Sequence, residues 1–391
     1  MRVGLMVRHL LGGCSGFVHG SRLKLFARIV EAVLRGRRLT PATVGRNVEG
    51  PLPKHGIKCM DRFLGNSRLW AERNCLFRAL AGRLLAGCSR PVILVDWTQT
   101  MAGKHEVLVA ATAIGGRALP VYLEVHPLKK LGNAAVEEGF LRALFATLPA
   151  GCSPIVITDA GFKGPFFDSV VARGWDFLGR IRGTAKARSS DGQVVTKKEF
   201  YARATTTPRD LGRHGLFVRN PIPCRLVLVR KRRKPGPKLP PPKCKEEREL
   251  RQAALDPWLL ATSITDGSAA YIVSLYARRM QIEETFRDAK NHRFGWCLSD
   301  ARASTHQRAF MLLLVAAFAI AIATLIGLSA EAAGAHRSYQ ANTLRRRVLS
   351  RFVLACTMLH RADFRFVSLP HLRAALRLLG PLADARKVGI R

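Results

Sequence analysis

An α/β core flanked by helical regions is the expected fold, and three features of the sequence carry that expectation. Two short apolar runs of buried-strand type, Pro91-Val-Ile-Leu-Val95 and Ile155-Val-Ile157, are each followed closely by an aspartate, Asp96 and Asp159. Segments with apolar residues at helical spacing alternate with such runs or lie outside them. A basic, proline-punctuated stretch interrupts the pattern after residue 182.

The elements follow in chain order. Arg22 to Leu34 places Leu23, Phe26, Ala27, Val30, Val33 and Leu34 at helical spacing. Thr40-Pro41 reads as a helix start, with Thr as N-cap and Pro at the first helical position. A further helix is expected over Leu69–Leu85, giving a small helical domain of helix-turn-helix type. The first core strand ends at Asp96. His105–Ala113 and Ala118–Val125, separated by Gly115-Gly116, form a hairpin. Ala134–Leu148 is helical, Ile155–Ile157 is a strand ending at Asp159, Gly164–Ala172 is helical and Asp176–Ile181 is a strand. Three strands, helix, strand, helix, strand, with acids at strand ends, is the order of an RNase H-like fold. Gly183 to Thr265 is basic and β-rich near Leu216–Val218 and Arg225–Arg230, and reads as an inserted β-subdomain. It contains the run Lys231–Lys234, and prolines 235, 237, 240, 241 and 242 make a stiff connection. Arg345–Leu359 and Leu369–Leu379 read as amphipathic helices. The expected segments are a helical DNA-binding domain (1–89), the core in two parts (90–182 and 266–330), the insertion (183–265) and a C-terminal helical region (331–391).

Charge narrows the partners. Lys and Arg number 64 against 27 Asp and Glu, a formal net charge of +37. Such an excess needs a polyanion or salt to screen it. Residues 1–90 alone carry 17 Lys and Arg against 4 Asp and Glu. With 48% hydrophobic residues the chain is globular rather than a basic tail. Nine cysteines without a C-x-x-C pair point to reduced thiols in a cytosol. The first eleven residues are too interrupted by Arg2, Arg8 and His9 for a signal peptide. Ala309–Leu328 is long and uncharged enough to span a membrane, and reads as a buried core helix.

Phosphodiester chemistry needs one oxygen activated and another stabilised, which two divalent ions roughly 3.5–4 Å apart accomplish. Hard ions require carboxylate oxygens. Asp96 and Asp159 supply two. A third comes from Tyr276 to Lys290, read as one helix. At about 100° per residue, Tyr276, Arg279, Glu283 and Lys290 share a sector of about 60°, whereas Glu284 lies about 100° from Glu283. By periodicity alone the same face could be an ordinary ion-paired surface.

The spacing Tyr-x2-Arg-x3-Glu-x6-Lys resembles the signature of the IS4 (Tn5-like) family of bacterial insertion-sequence transposases, within the DDE superfamily. Val95-Asp-Trp-Thr98 and Thr158-Asp-Ala-Gly-Phe162 are similar to its first two acidic segments. Trp175–Arg182 resembles the strand that follows, Pro257–Thr262 the segment entering the signature helix, and Lys58–Asn66 a segment of the N-terminal domain. The resemblance spans roughly residues 20–360 and implies a retroviral integrase-like catalytic core. It implies Asp96, Asp159 and Glu283 as the catalytic, metal-binding triad for two Mg²⁺ ions, with Mn²⁺ able to substitute. It further implies DNA contacts by Tyr276, Arg279, Lys290, Arg182, Lys58 and Arg62, and a base flipped from the transposon end stacked on Trp258. The implied activity is cut-and-paste transposition through strand cleavage, a hairpin and strand transfer. Its partners would be terminal inverted repeats and target DNA, within a homodimeric synaptic complex in the bacterial cytoplasm, with no membrane. Two alternatives are a structure-specific nuclease of RNase H-like fold and a DNA-binding relative without activity. No Gly-rich nucleotide loop is visible, so no energy cofactor is expected.

Overall fold

The computed structural model describes residues 3–387 apart from 15, 102, 184–185, 190, 232–239, 243, 293–294, 362 and 364–367. Arg232 to Lys234 of the basic run, with Pro235 and Pro237, lie outside the described residues. The chain packs as two compact units, Met1–Cys152 with Met280–Lys387, and Ser153–Arg279.

The first unit opens with helices α1 (Val3–Leu10), α2 (Gly20–Gly36), α3 (Pro41–Arg46), α4 (Pro53–Leu64), α5 (Ser67–Ala71) and α6 (Arg73–Leu84). Helix α2 buries Phe26, Ile29, Val30 and Val33, and ends where Arg37 turns left-handed at φ 52°. Thr40 caps α3 by accepting the Thr43 N–H at 3.4 Å, with Pro41 in the first turn. Helices α3 and α4 meet backbone to backbone. A Cβ on Gly56 would lie 2.1 Å from the Gly45 carbonyl oxygen, so glycine alone permits the approach. The single helix expected over 69–85 is two helices, broken at Glu72, whose carboxylate is ion-paired to Arg22 on α2.

Strands β1 (Val92–Thr100), β2 (His105–Ala113) and β3 (Ala118–His126) form an antiparallel meander, followed by α7 (Ala134–Thr147). Strand β1 does not end at Asp96 as expected. Pairing with β2 continues to Thr100 opposite His105, and only the burial changes at Asp96, where a fully buried run gives way to half-buried residues.

In the second unit the elements are β4 (Ile155–Thr158), α8 (Gly164–Val171), β5 (Asp176–Ile181), β6 (Lys186–Ser189), β7 (Val194–Thr196) and α9 (Lys197–Ala202). Then come β8 (Arg209–Leu216), β9 (Ile222–Val229), α10 (Lys245–Leu255), β10 (Trp258–Thr262) and α11 (Ala269–Ala277). Its strands lie in the order β4-β5-β10-β9-β8-β6-β7, with β4 and β5 parallel across the α8 crossover. The strands of 183–265 therefore extend the sheet that β4 and β5 begin. The strand expected near 216–218 lies upstream, because Phe217 at φ 67° leaves the extended region.

Helices α12 (Met280–Lys290), α13 (His306–Ala332), α14 (Arg351–His360) and α15 (Leu369–Ala383) belong again to the first unit. The helix expected from Tyr276 to Lys290 is thus two. The Arg278 N–H bonds back to Leu275 and the Arg279 N–H to Tyr276, three-residue turns that break the helical phase. Of Tyr276, Arg279, Glu283 and Lys290, only Glu283 and Lys290 lie on one helix. Helix α11 packs on β5 and β9 of its unit, α12 on β2 and β3 of its own, and those seats override a sequence with no helix breaker.

Helix α13 is long and apolar enough to cross a membrane by length and composition, and Ala309 through Ala330 are all buried within the first unit. Phe318 meets Phe26 of α2 at 4.9 Å and Phe310 meets Trp70 at 4.8 Å, both edge to face. Helix α14 begins at Arg351, six residues later than expected. Ser350 caps it, accepting the Val353 N–H, while Arg347 and Arg351 bond the Glu331 carboxylate at 2.9 and 2.7 Å. All nine cysteines are free thiols.

Candidate active site

In the first unit, Asp96 and Thr98 are two residues apart on β1 and so project from one face, while Trp97 projects from the other. The Trp97 indole donates to Glu137 on α7 at 3.1 Å. On the Asp96 side, the Lys290 ammonium donates to Thr98 Oγ1 at 2.7 Å, which brings α12 to this face. Burial holds the Lys290 ammonium below its ordinary pKa, and the carboxylates of Asp96 and then Glu106 pull it back up.

Helix α12 is seated by side chains on another of its faces. Gln281 accepts the Gly115 N–H at 3.1 Å, and Thr285 Oγ1 accepts the Ala118 N–H at 2.9 Å. Arg117 donates to both Asp288 oxygens, at 2.6 and 3.3 Å. Glu284 lies on this hairpin side, 2.8 Å from Arg287 and 3.8 Å from Arg117. Glu283 stands two turns from Lys290, within about 20° of it around the axis. The adjacent glutamates are thus separated by environment: Glu284 is neutralised by arginines, and Glu283 shares the side that meets β1.

In the second unit, Asp159 follows directly on β4, whose four residues are all buried. Its Oδ1 accepts the Gly161 N–H at 2.8 Å, which orients the carboxylate at the strand end. Leu259 and Leu260 of β10 pair with Ile181 and Arg180 of β5. One step beyond those pairs, Trp258 and Arg182 fall on the Arg180 face. Trp258 is 8% exposed, packs edge to face on Tyr276 at 4.8 Å and has the Lys231 ammonium 3.8 Å from its ring centroid. Burial pushes the Tyr276 hydroxyl up to about 12, with Arg279 and Arg180 pulling it down and Asp159 pushing it further up. Asp159, Arg182, Trp258, Tyr276 and Arg279 are therefore one neighbourhood.

Lys58 and Arg62 are exposed four residues apart on α4, and Lys54 extends the same stripe by another turn. Sequence reasoning missed Arg180, which is half-buried, held below its ordinary pKa by that burial and by Arg182, and donates to the Asp256 carbonyl at 3.0 Å. Its spacing of two from Arg182 on a strand was the available signal. The seating residues Gln281, Thr285 and Asp288 gave none, because their partners are over 160 residues away.

Asp96 and Glu283 in the first unit and Asp159 in the second each offer carboxylate oxygens, a donor type that suits a hard divalent ion such as Mg²⁺ or Mn²⁺ and not a thiophilic one. No individual curated protein matches the chain. Residues 88–320 match the family described as the transposase DDE domain. That match spans more than half of the 391 residues and takes in Asp96, Asp159 and Glu283, so the chain belongs to the transposase DDE domain family and is a transposase that acts on DNA.

Proposed function

We propose that the chain is a cut-and-paste transposase of the IS4 type with an RNase H-like core. In this reading Asp96, Asp159 and Glu283 together hold two divalent cations, Mg²⁺ with Mn²⁺ able to substitute. The observation that carries it is the seating of α12, which turns Glu284 toward arginines and brings Lys290 to the strand face bearing Asp96. Members of the family generally use divalent ions, which when bound would activate an attacking oxygen and stabilise a leaving one.

The chain's own groups bind and orient the DNA. Lys290, Arg279, Arg182 and the un-ionised Tyr276 hydroxyl contact backbone phosphates beside the cut. Trp258 stacks a base turned out of the transposon end, a contact any base can make. Lys58 and Arg62 contact the terminal inverted repeat. The reaction begins with a nick at the transposon end. The freed 3′-hydroxyl attacks the opposite strand to make a hairpin, water opens it, and the 3′-hydroxyl joins target DNA. Each joining exchanges one phosphodiester for another, so no nucleotide cofactor is required. Two copies act together, one at each end, in the cytoplasm.

The test is cleavage of a duplex carrying the terminal inverted repeat. Asp96→Asn, Asp159→Asn and Glu283→Gln each abolish cleavage and retain binding, whereas Glu284→Gln keeps most activity. Near-normal cleavage by Glu283→Gln would overturn the assignment. Cleavage without joining of pre-cut 3′ ends would leave a nuclease instead.

A further inference from the structure

Among the described residues, one group of ligand-type side chains lies outside the machinery above. It comprises His292, Cys297 and Asp300, whose candidate ligand atoms all lie within 4.8 Å of one another. They sit in the loop that leaves the C-terminal end of α12, just after Lys290.

The described residues of the loop bond closely to the end of α12. The Trp296 N–H bonds to the Asp288 carbonyl at 3.1 Å and the Cys297 N–H to the Asn291 carbonyl at 3.3 Å, folding the loop back on the last turn of α12. A Cβ on Gly295 would lie 1.9 Å from the Asp288 oxygen, so the fold-back requires glycine there. Trp296 is buried against Phe352 at 4.8 Å. Cys297 follows at φ 52° and ψ 37°, a left-handed conformation disfavoured for a residue with a side chain, and it is buried. Its thiol lies 3.7 Å from the His292 carbonyl oxygen. His292 Nδ1 and Asp300 Oδ2 are 3.3 Å apart, with side chains 64% and 43% exposed.

We propose that His292, Cys297 and Asp300 form a zinc site that closes this loop on itself at the end of the helix bearing Glu283 and Lys290. A thiolate with an imidazole and a carboxylate selects Zn²⁺ over the all-oxygen preference of Mg²⁺. Tetrahedral Zn²⁺ with bonds of about 2.0–2.3 Å sets its donors roughly 3.3–3.6 Å apart, which the His292–Asp300 separation of 3.3 Å meets. The fourth position opens to solvent on the exposed His292 and Asp300 side. Binding exchanges the Cys297 thiol proton for the metal, so one proton is released and affinity rises with pH. Thiolate and carboxylate then neutralise the ion.

The full-length protein, stripped of metal and titrated with Co²⁺, provides the test. Thiolate ligation gives a near-ultraviolet charge-transfer band that the all-carboxylate triad cannot produce. The wild type develops the band at one equivalent, and Cys297→Ser loses it. His292→Gln and Asp300→Asn change exposed side chains and keep the fold; each weakens Co²⁺ binding at least tenfold, since loss of even an outer-shell partner costs about 10–100-fold. Zn²⁺ raises the melting temperature of the wild type and not of Cys297→Ser. A wild type without the band, a band that persists in Cys297→Ser, or unchanged affinity in both exposed-residue variants would each overturn the proposal.

Discussion

Thr285→Val isolates the bond that seats α12. Thr285 is 3% exposed, and its Oγ1 lies 2.9 Å from both the N and O of Ala118 and 3.0 Å from the Gln281 carbonyl. The hydroxyl donates to one carbonyl at a time and always accepts the Ala118 N–H. Valine keeps the shape and removes the oxygen, leaving that N–H buried without its acceptor at a cost of about 1–3 kcal/mol. At roughly 2 °C per kcal/mol for a unit of this size, the melting temperature falls by roughly 2–6 °C. The same helix carries Glu283 and Lys290, and a displacement of about 1 Å at a catalytic group can cost about 100-fold in rate. Cleavage of end-bearing DNA should therefore fall by about 10–100-fold, with end binding nearly unchanged because phosphate contacts dominate affinity. Thr285→Ser retains the oxygen and should recover most of both losses. A Thr285→Val protein with wild-type melting and wild-type cleavage would refute the docking argument. Lowered melting with unchanged cleavage would show that this bond does not set the position of Glu283.

Three further outcomes are expected. A base stacking on Trp258 must displace the Lys231 ammonium, an interaction of about 0.5–1 kcal/mol, so Lys231→Ala should strengthen stacking several-fold at most; weaker quenching of a fluorescent base at the transposon end would mean that Lys231 holds DNA instead. Lys58→Ala and Arg62→Ala should each lower the slope of log affinity against log salt by about 0.9, and an unchanged slope in the double variant would remove α4 from the DNA interface. Burial pushes the Glu331 carboxyl up, but Arg351 and Arg347 outweigh it and hold it below its ordinary 4.5. The pair therefore stabilises the fold above pH 4.5 and is lost as pH falls through the depressed value. The melting difference between wild type and Glu331→Gln should be large at neutral pH and close in acid; a difference independent of pH contradicts this.

The strands that carry the aspartates were legible because β-branched runs need no partner to be recognised: Ile155–Ile157 lies within β4, with Asp159 after its end. The α3 start was equally plain, since Thr40-Pro41 specifies cap and first turn locally. The break between α11 and α12 was not, because Arg278 and Arg279 are acceptable helix residues and the interruption comes from different seats for the two helices. Choosing Glu283 over Glu284 from a continuous helix used a phase that does not extend to Tyr276; the separation by environment rests on Arg117 and Arg287. Lys231 over Trp258 was invisible because it depends on the pairing of Val229 with Trp258 across β9 and β10.

Helix α13 has a consequence for how the chain is made. It packs with α2, whose Phe26 it covers with Phe318, yet His306 is translated 270 residues after Gly36, the last residue of α2. At about 5–20 residues per second, the apolar side of α2 waits roughly 14–54 s for its partner. A transcript interrupted before α13 would make that exposure permanent. Shortened products should then be cleared or aggregate rather than persist as DNA-binding competitors of the full-length transposase. The same dependence bears on segment 1–89: excised alone, it would lack the helix that closes its core, and its DNA affinity is best measured within the whole first unit.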